Sequence, residues 1–137
     1  MNKVSNIIRK DIRLGGAQAM LNAVGITKHN IEKPLVGIGS VWLEGNPCNM
    51  HLNELAQDVK IGVEENGGIG KRFNSCGVSD GISMGTPMMR YSLISREHIA
   101  DSVEMVMNSF YYDGNISIAG CDKNIPGMLM GMIRVNR

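Results

Sequence analysis

Apolar and polar positions run through three cycles, each a short apolar stretch followed by a helical period. Residues 34–42 (Pro-Leu-Val-Gly-Ile-Gly-Ser-Val-Trp) are a near-continuous apolar run of strand length, which predicts a buried strand. After the loop around Gly45-Asn46-Pro47, Leu52, Leu55, Ala56, Val59 and Val63 recur at helical spacing, and Asn66-Gly67-Gly68 supplies a stop. A helix over 52–65 is expected. The second cycle predicts a strand over 69–74, interrupted by Lys71 and Arg72, then a Gly-rich loop over 75–89 and a helix over 96–110. In that helix Ser95 suits the N-cap and Glu97 the first turn, while Ile99, Val103, Val106, Met107 and Phe110 share a face. The third cycle is a turn at Asp113-Gly114, a strand over 115–119, a loop over 120–125 and a final helix with Pro126 at its first position. A further helix is predicted over 16–24, ahead of the first strand.

Strands alternating with helices imply a parallel sheet with right-handed crossovers, in a three-layer α/β/α arrangement. The loops leaving the strands' carboxyl ends then collect on one edge of the sheet, where ligands of such folds bind. Those loops hold Cys48, then Cys76 and Asp80, then Cys121, Asp122 and Lys123. Topology alone should bring them together.

At 137 residues with no linker-like or low-complexity segment, one domain is expected over 1–137. The 43% hydrophobic and 20% charged composition excludes global disorder, and a net charge of +1 argues against nucleic-acid or anionic-membrane surfaces. No apolar run approaches the ~18 residues of a membrane span. The first residues lack a signal-peptide apolar block and Asp11 does not suit a transit peptide, so a cytoplasmic location is expected. Seventeen glycines promise many close backbone approaches, and three widely spaced cysteines point to metal or redox use rather than a disulfide framework.

Cys121-Asp122-Lys123 joins a soft ligand, a hard oxygen ligand and an amine just before a helix, so one tripeptide can serve two adjacent metal centres. The plainer alternative is a buried free cysteine beside a surface Asp–Lys pair. Cys48, after Pro47 in a glycine-containing loop, is more exposed than a core cysteine. Asp80 is either a turn aspartate or a metal ligand, and His51 either a zinc ligand or a capping or packing residue. Cys76 can be a small apolar filler. His29 and His98 carry no partner signal, the latter a surface or interface residue on a helix. Residues 77–85 lack the Gly-Lys-Ser/Thr ending and the G-x-G-x-x-G pattern of a phosphate cradle. The residue types stop at a mixed metal site on a parallel sheet.

Three motifs in order add a resemblance. Residues 120–127 (Gly-Cys-Asp-Lys-Asn-Ile-Pro-Gly) match the C-D-K-x-x-P-G signature of the dihydroxy-acid and phosphogluconate dehydratase family. Residues 44–52 (Glu-Gly-Asn-Pro-Cys-Asn-Met-His-Leu) and 77–85 (Gly-Val-Ser-Asp-Gly-Ile-Ser-Met-Gly) are similar to its dihydroxy-acid branch, as are Tyr91-Ser92-Leu93, Ser95-Arg96-Glu97 and Ile99-Ala100-Asp101-Ser102. The resemblance runs from Gly15 to Arg137. It implies the first part of the family's larger N-terminal domain, without its later C-terminal domain. It also implies a hydro-lyase that turns 2,3-dihydroxy-3-methyl carboxylates into 2-keto acids for valine, isoleucine and leucine biosynthesis.

By the same resemblance, Cys48 and Cys121 would bind an iron–sulfur cluster, two-iron in preference to four-iron. Asp80, Asp122 and Lys123 would bind magnesium, Lys123 after carboxylation of its amine. The parent would be a homodimer acting on a small dihydroxy acid, with no nucleic acid or membrane partner. Family members draw a third cluster cysteine, a further magnesium ligand and a base from later in the chain, so these 137 residues alone should be inactive. The apolar run 128–133 should belong to a face toward that remainder. Two places depart from the family: Cys76 stands where an aliphatic residue is usual, and the dipeptide Pro87-Met88 replaces Glu/Lys-Gly. The alternatives are a sugar-acid or phosphogluconate dehydratase and, from another class, a zinc-binding or structural α/β module using Cys48, Cys76, Cys121 and His51.

Overall fold

The computed structural model describes residues 3–137. Three strands, β1 (Leu35–Ser40), β2 (Ile69–Asn74) and β3 (Gly114–Ile118), form an all-parallel sheet of order β2-β1-β3. The helices are α1 (Asn6–Lys10), α2 (Gly15–Ala23), α3 (Leu52–Glu65), α4 (Asp80–Ser83), α5 (Arg90–Ser109) and α6 (Asn124–Val135). Short 3-10 turns lie at Ile12–Leu14 and Pro87–Met89. Gly70 of β2 lies against Ile38 and Lys60, which places α3 on one face. On the other face Met107 of α5 and Tyr112 close over Gly37, and Met128 of α6 closes over Gly39. The sheet is therefore sandwiched between α3 and the α5–α6 pair, as a parallel sheet requires. Leu35, Ile38, Val41, Ile99, Val103, Met107 and Met128 are its most deeply buried apolar side chains.

The middle of the chain corrects three expectations. Helix α5 begins at Arg90, six residues before the expected start, and Ser95 is buried inside it rather than capping it. Its Oγ donates to the Ser92 carbonyl at 2.6 Å, so the hydroxyl satisfies itself within the helix. The loop 75–89 contains α4, N-capped by Ser79 Oγ accepting from the Ile82 N–H, and the 3-10 turn capped by Thr86. Helix α6 starts at Asn124, so Pro126 is its third residue; still in the first turn, its missing N–H costs no hydrogen bond. Within the run 128–133, Met128 and Gly131 are buried, and Leu129 and Ile133 continue an exposed stripe that begins at Ile125.

At the amino edge of the sheet the chain is tied by one carboxylate. Asp113 accepts hydrogen bonds from Val4 N–H (3.1 Å), Ser5 N–H (2.9 Å), Ser5 Oγ (2.6 Å) and Leu35 N–H (3.0 Å). Burial pushes its pKa up, but these donors outweigh it and hold the carboxyl below its ordinary value. The buried Arg9 joins the knot, donating to Ser5 Oγ and to the Asn30 and Lys33 carbonyls. No helix among the described residues is long and apolar enough to cross a membrane.

Candidate functional site

The helices after β1 and β3 lie on opposite faces, so a crevice opens between the loops at the carboxyl ends of these neighbouring strands. Three fully buried asparagines build its floor. Asn46 Nδ2 donates to the Gly77 carbonyl at 2.8 Å, and its Oδ1 accepts from the Cys48 N–H at 3.0 Å. Asn49 Nδ2 donates to the Val41 and Gly77 carbonyls at 2.9 and 3.3 Å. From the start of α6, Asn124 Nδ2 reaches the Val78 carbonyl at 3.2 Å. Each asparagine thus pins the β2 loop to a neighbour.

Two glycines make this closeness possible. A Cβ on Gly77 would stand 2.1 Å from the Val41 oxygen and 2.4 Å from Asn49 Nδ2. One on Gly120 would stand 2.6 Å from the Cys48 oxygen. The next residue, Cys121, holds φ at 76°, a region that costs a side-chain-bearing residue energy and that the packed loops impose.

On this floor the structure brings Cys48, Asp80, Cys121, Asp122 and Lys123 together. Cys121 lies close enough to Cys48 to act on its thiol. That closeness, the Coulombic effect of Cys121, burial and the nearby Asp80 charge all push the Cys48 thiol up. Lys123 bridges two carboxylates: its Nζ donates to Asp122 and stands 3.5 Å from Asp80. The hydrogen bond from Lys123 holds the Asp122 carboxyl below its ordinary range and, reciprocally, raises the Lys123 amine. The other oxygen of Asp80 is held by Ser92 Oγ, from α5. Beside this carboxylate an apolar cavity of ≈ 380 Å³ is lined by Leu43, Val78, Ile82, Met88 and Tyr91.

Among the described residues no three His, Cys, Asp or Glu side chains converge to hold a metal ion. The zinc module needed such a convergence of Cys48, Cys76, Cys121 and His51. Cys76 is exposed on the β2 loop, and His51, at the N-cap position of α3, is exposed with no side-chain capping bond. The donors come instead as two pairs: soft thiols on one side, hard carboxylates around one ammonium on the other. That chemistry fits a cluster and a hard cation side by side, each completed by donors beyond these pairs.

Sequence reasoning missed Ser92 and the three asparagines. Ser92 carries a weak signal, since its hydroxyl sits where α5 needs an inward-facing residue. The asparagines bind backbone carbonyls whose position only the folded loops define.

Comparison with known proteins matches residues 33–137 to the family described as dihydroxy-acid/6-phosphogluconate dehydratase N-terminal. All 137 residues align with a mitochondrial dihydroxy-acid dehydratase of Aspergillus terreus at 58% identity, covering 23% of that protein. The dihydroxy-acid dehydratase of Francisella tularensis subsp. novicida is 57% identical and covered to 24%; the chloroplastic enzyme of Arabidopsis thaliana is 56% identical and covered to 22%. The chain spans about a quarter of the length of these curated relatives. With the family matched over most of the chain and all three motifs on one edge of a parallel sheet, the chain belongs to the dihydroxy-acid/6-phosphogluconate dehydratase family.

Proposed function

We propose that the chain forms the metal-facing part of a hydro-lyase that converts 2,3-dihydroxy-3-methyl carboxylates to 2-keto acids in branched-chain amino-acid biosynthesis. The observation that carries this reading is the meeting, from loops after separate strands, of a thiol pair and a carboxylate pair on one floor. In this reading Cys48 and Cys121 hold an iron–sulfur cluster, two-iron in preference to four-iron. Asp80, Asp122 and a carboxylated Lys123 hold magnesium. When bound, the iron supplies a Lewis acid for the C3 hydroxyl, and magnesium a hard cation for the carboxylate and C2 hydroxyl.

The chain's own residues do the positioning. Ser92 Oγ engages one Asp80 oxygen, and Asp80 Oδ2 is the oxygen nearest Lys123. As an ammonium, Lys123 takes the place between the carboxylates that a hard cation requires, so carboxylation of its Nζ both vacates that place and adds an oxygen donor. The apolar cavity next to Asp80 takes the alkyl part of the substrate. Catalysis belongs to a protein of the relatives' length. The 137 residues alone are inactive in this reading, being short of a cluster ligand and of a base for the C2 proton. A homodimeric parent in the cytoplasm completes the proposal; the fungal and plant relatives bear mitochondrial and chloroplastic names.

The test is anaerobic reconstitution with iron, sulfide and magnesium in a chain extended to the relatives' length, with keto-acid formation from 2,3-dihydroxy-isovalerate as the assay. Cys121→Ser should remove the cluster's visible absorbance, because serine is a poor soft-metal ligand. Asp122→Asn should keep the colour and weaken magnesium binding and turnover. Equal iron loss in both variants would sink the two-site reading.

A further inference from the structure

The cavity beside Asp80 is larger than a methyl or ethyl group needs. At ≈ 380 Å³ it falls within the size of whole ligand pockets, which begins near ~300 Å³, so an alkyl group of one or two carbons fills only a corner of it. Among the described residues no charged side chain lines it. Its serines and its asparagine are already engaged within the protein. Ser79 Oγ accepts from the Ile82 N–H at 3.3 Å, and Ser83 Oγ donates to the Ser79 carbonyl at 3.1 Å. Ser92 Oγ donates to Asp80, and the Asn46 amide is taken by Gly77 and Cys48. A chain bearing hydroxyls would give up water there without gaining these partners, whereas an aliphatic chain gives up nothing.

Met88 is the adjustable part of the wall. It lies in the 3-10 turn, where Pro87 fixes the first φ and Thr86 Oγ1 accepts from the Met88 N–H at 3.2 Å. Thr86 Oγ1 also donates to the Ser83 carbonyl at 2.7 Å, which ties the turn to α4. The backbone at Met88 is therefore fixed, while its side chain is 47% exposed and lines the cavity. Of the apolar lining only this methionine has three rotatable bonds, so it can fold against groups of different length.

We propose that the site takes 2,3-dihydroxy-3-methyl carboxylates whose second C3 alkyl group extends beyond ethyl, to propyl and butyl, and that Met88 contacts the end of that chain and sets the preferred length. This rests on the dehydratase reading and names its substrate range. The carboxylate and the C2 and C3 hydroxyls stay at the polar floor, and only the alkyl chain runs on along the cavity toward the 3-10 turn. Met88 is a specificity residue here, with no part in proton transfer.

The test uses the chain extended to the relatives' length, reconstituted as above, with a series of substrates carrying methyl, ethyl, propyl or butyl as the second group on C3. Each added methylene should raise kcat/KM by up to about fourfold, the worth of one buried CH2, and the gain should appear in KM. Met88→Ala should flatten the rise from propyl onward, and Met88→Leu, which nearly conserves volume, should restore most of it. Met105→Ala, on an exposed part of α5 outside this cavity, should keep the wild-type slope. A kcat/KM that falls steadily from methyl upward, or a slope that Met88→Ala leaves unchanged, would overturn the proposal. Turnover of the methyl compound alone overturns only the longer-chain range; turnover of no member of the series sinks the dehydratase reading and this proposal with it.

Discussion

The two edges of the sheet each gather buried polar groups around an aspartate, to opposite ends. At the amino edge, Asp113 takes three backbone N–H groups and a hydroxyl, and Arg9 is spent on two backbone carbonyls and Ser5. Nearly every partner there is main chain, fixed by the fold, so the carboxylate is a fastening. At the carboxyl edge, Asp80 meets side chains, among them the Ser92 hydroxyl and the Lys123 ammonium, and Lys123 is shared with the exposed Asp122. Side-chain partners can be exchanged for a cation without undoing a strand. The difference teaches which aspartate holds the fold and which is held ready.

The sharpest break is to truncate both. Asp113→Ala leaves three N–H groups and a hydroxyl without an acceptor and should cost about 2–4 kcal/mol, at roughly 1 kcal/mol for each donor left unmet. Asp80→Ala leaves the buried Ser92 hydroxyl without its partner but frees Lys123 to water, and should cost about 1–2 kcal/mol, while abolishing the proposed magnesium binding. Urea midpoints at neutral pH compare the two directly. Equal destabilisation by both would erase the distinction between fastening and site.

This contrast also marks how far the sequence could be read. Helix α3 and strand β2 fall where the pattern and the Asn-Gly-Gly stop put them: Leu52 and Ala56 are buried one turn apart in α3, and β2 opens with buried Ile69 directly after the stop. The start of α5 was hidden for a physical reason. Over Arg90 to Ser95 the usual pattern is inverted, with Ser92 and Ser95 inward and Tyr91, Leu93 and Ile94 outward, so no apolar stripe marks the core face. The cysteines and acidic residues of the carboxyl edge were legible because parallel topology gathers loops regardless of their detail. What was not legible is what fastens both edges: Asn46, Asn49 and Asn124 at one, and Asp113 and Arg9 at the other. All act on backbone groups or on distant chain segments, and neither composition nor period encodes those meetings.

Acid should separate the edges without mutation. The Asp113 carboxyl is held below its ordinary value near 3.9, so as pH falls the unfolded chain takes up the proton first. Its contribution is complete above the ordinary carboxylate range and is lost as pH drops through the lower folded-state value. The loss should be smaller than that of Asp113→Ala, since a protonated carboxyl still accepts hydrogen bonds. It should also change little with salt, because its partners are contacting backbone groups. Asp122 is lowered too, by Lys123, but this exposed pair is screened by salt and should leave the midpoint unmoved. Midpoints of wild type and Asp113→Asn from pH 6 to 3, at low and high salt, check this. An acid transition identical in the two proteins would assign it elsewhere.

The smallest expected effect sharpens the comparison from within the site. Ser92 is buried and its hydroxyl reaches Asp80 from α5, so Ser92→Ala keeps the helix packing and removes one side-chain partner. The stability cost should be about 0.5–1.5 kcal/mol, the ordinary net worth of one hydrogen bond. If Ser92 positions Asp80 for a hard cation, the same variant should weaken magnesium binding several-fold while iron content and cluster absorbance stay at wild-type levels. Ser92→Thr, which restores a hydroxyl at that place, should recover magnesium affinity even if the extra methyl costs some stability. Should Ser92→Ala lower stability and leave magnesium affinity untouched, Ser92 belongs with Asp113 among the fastenings, and Asp80 is aligned by Lys123 alone.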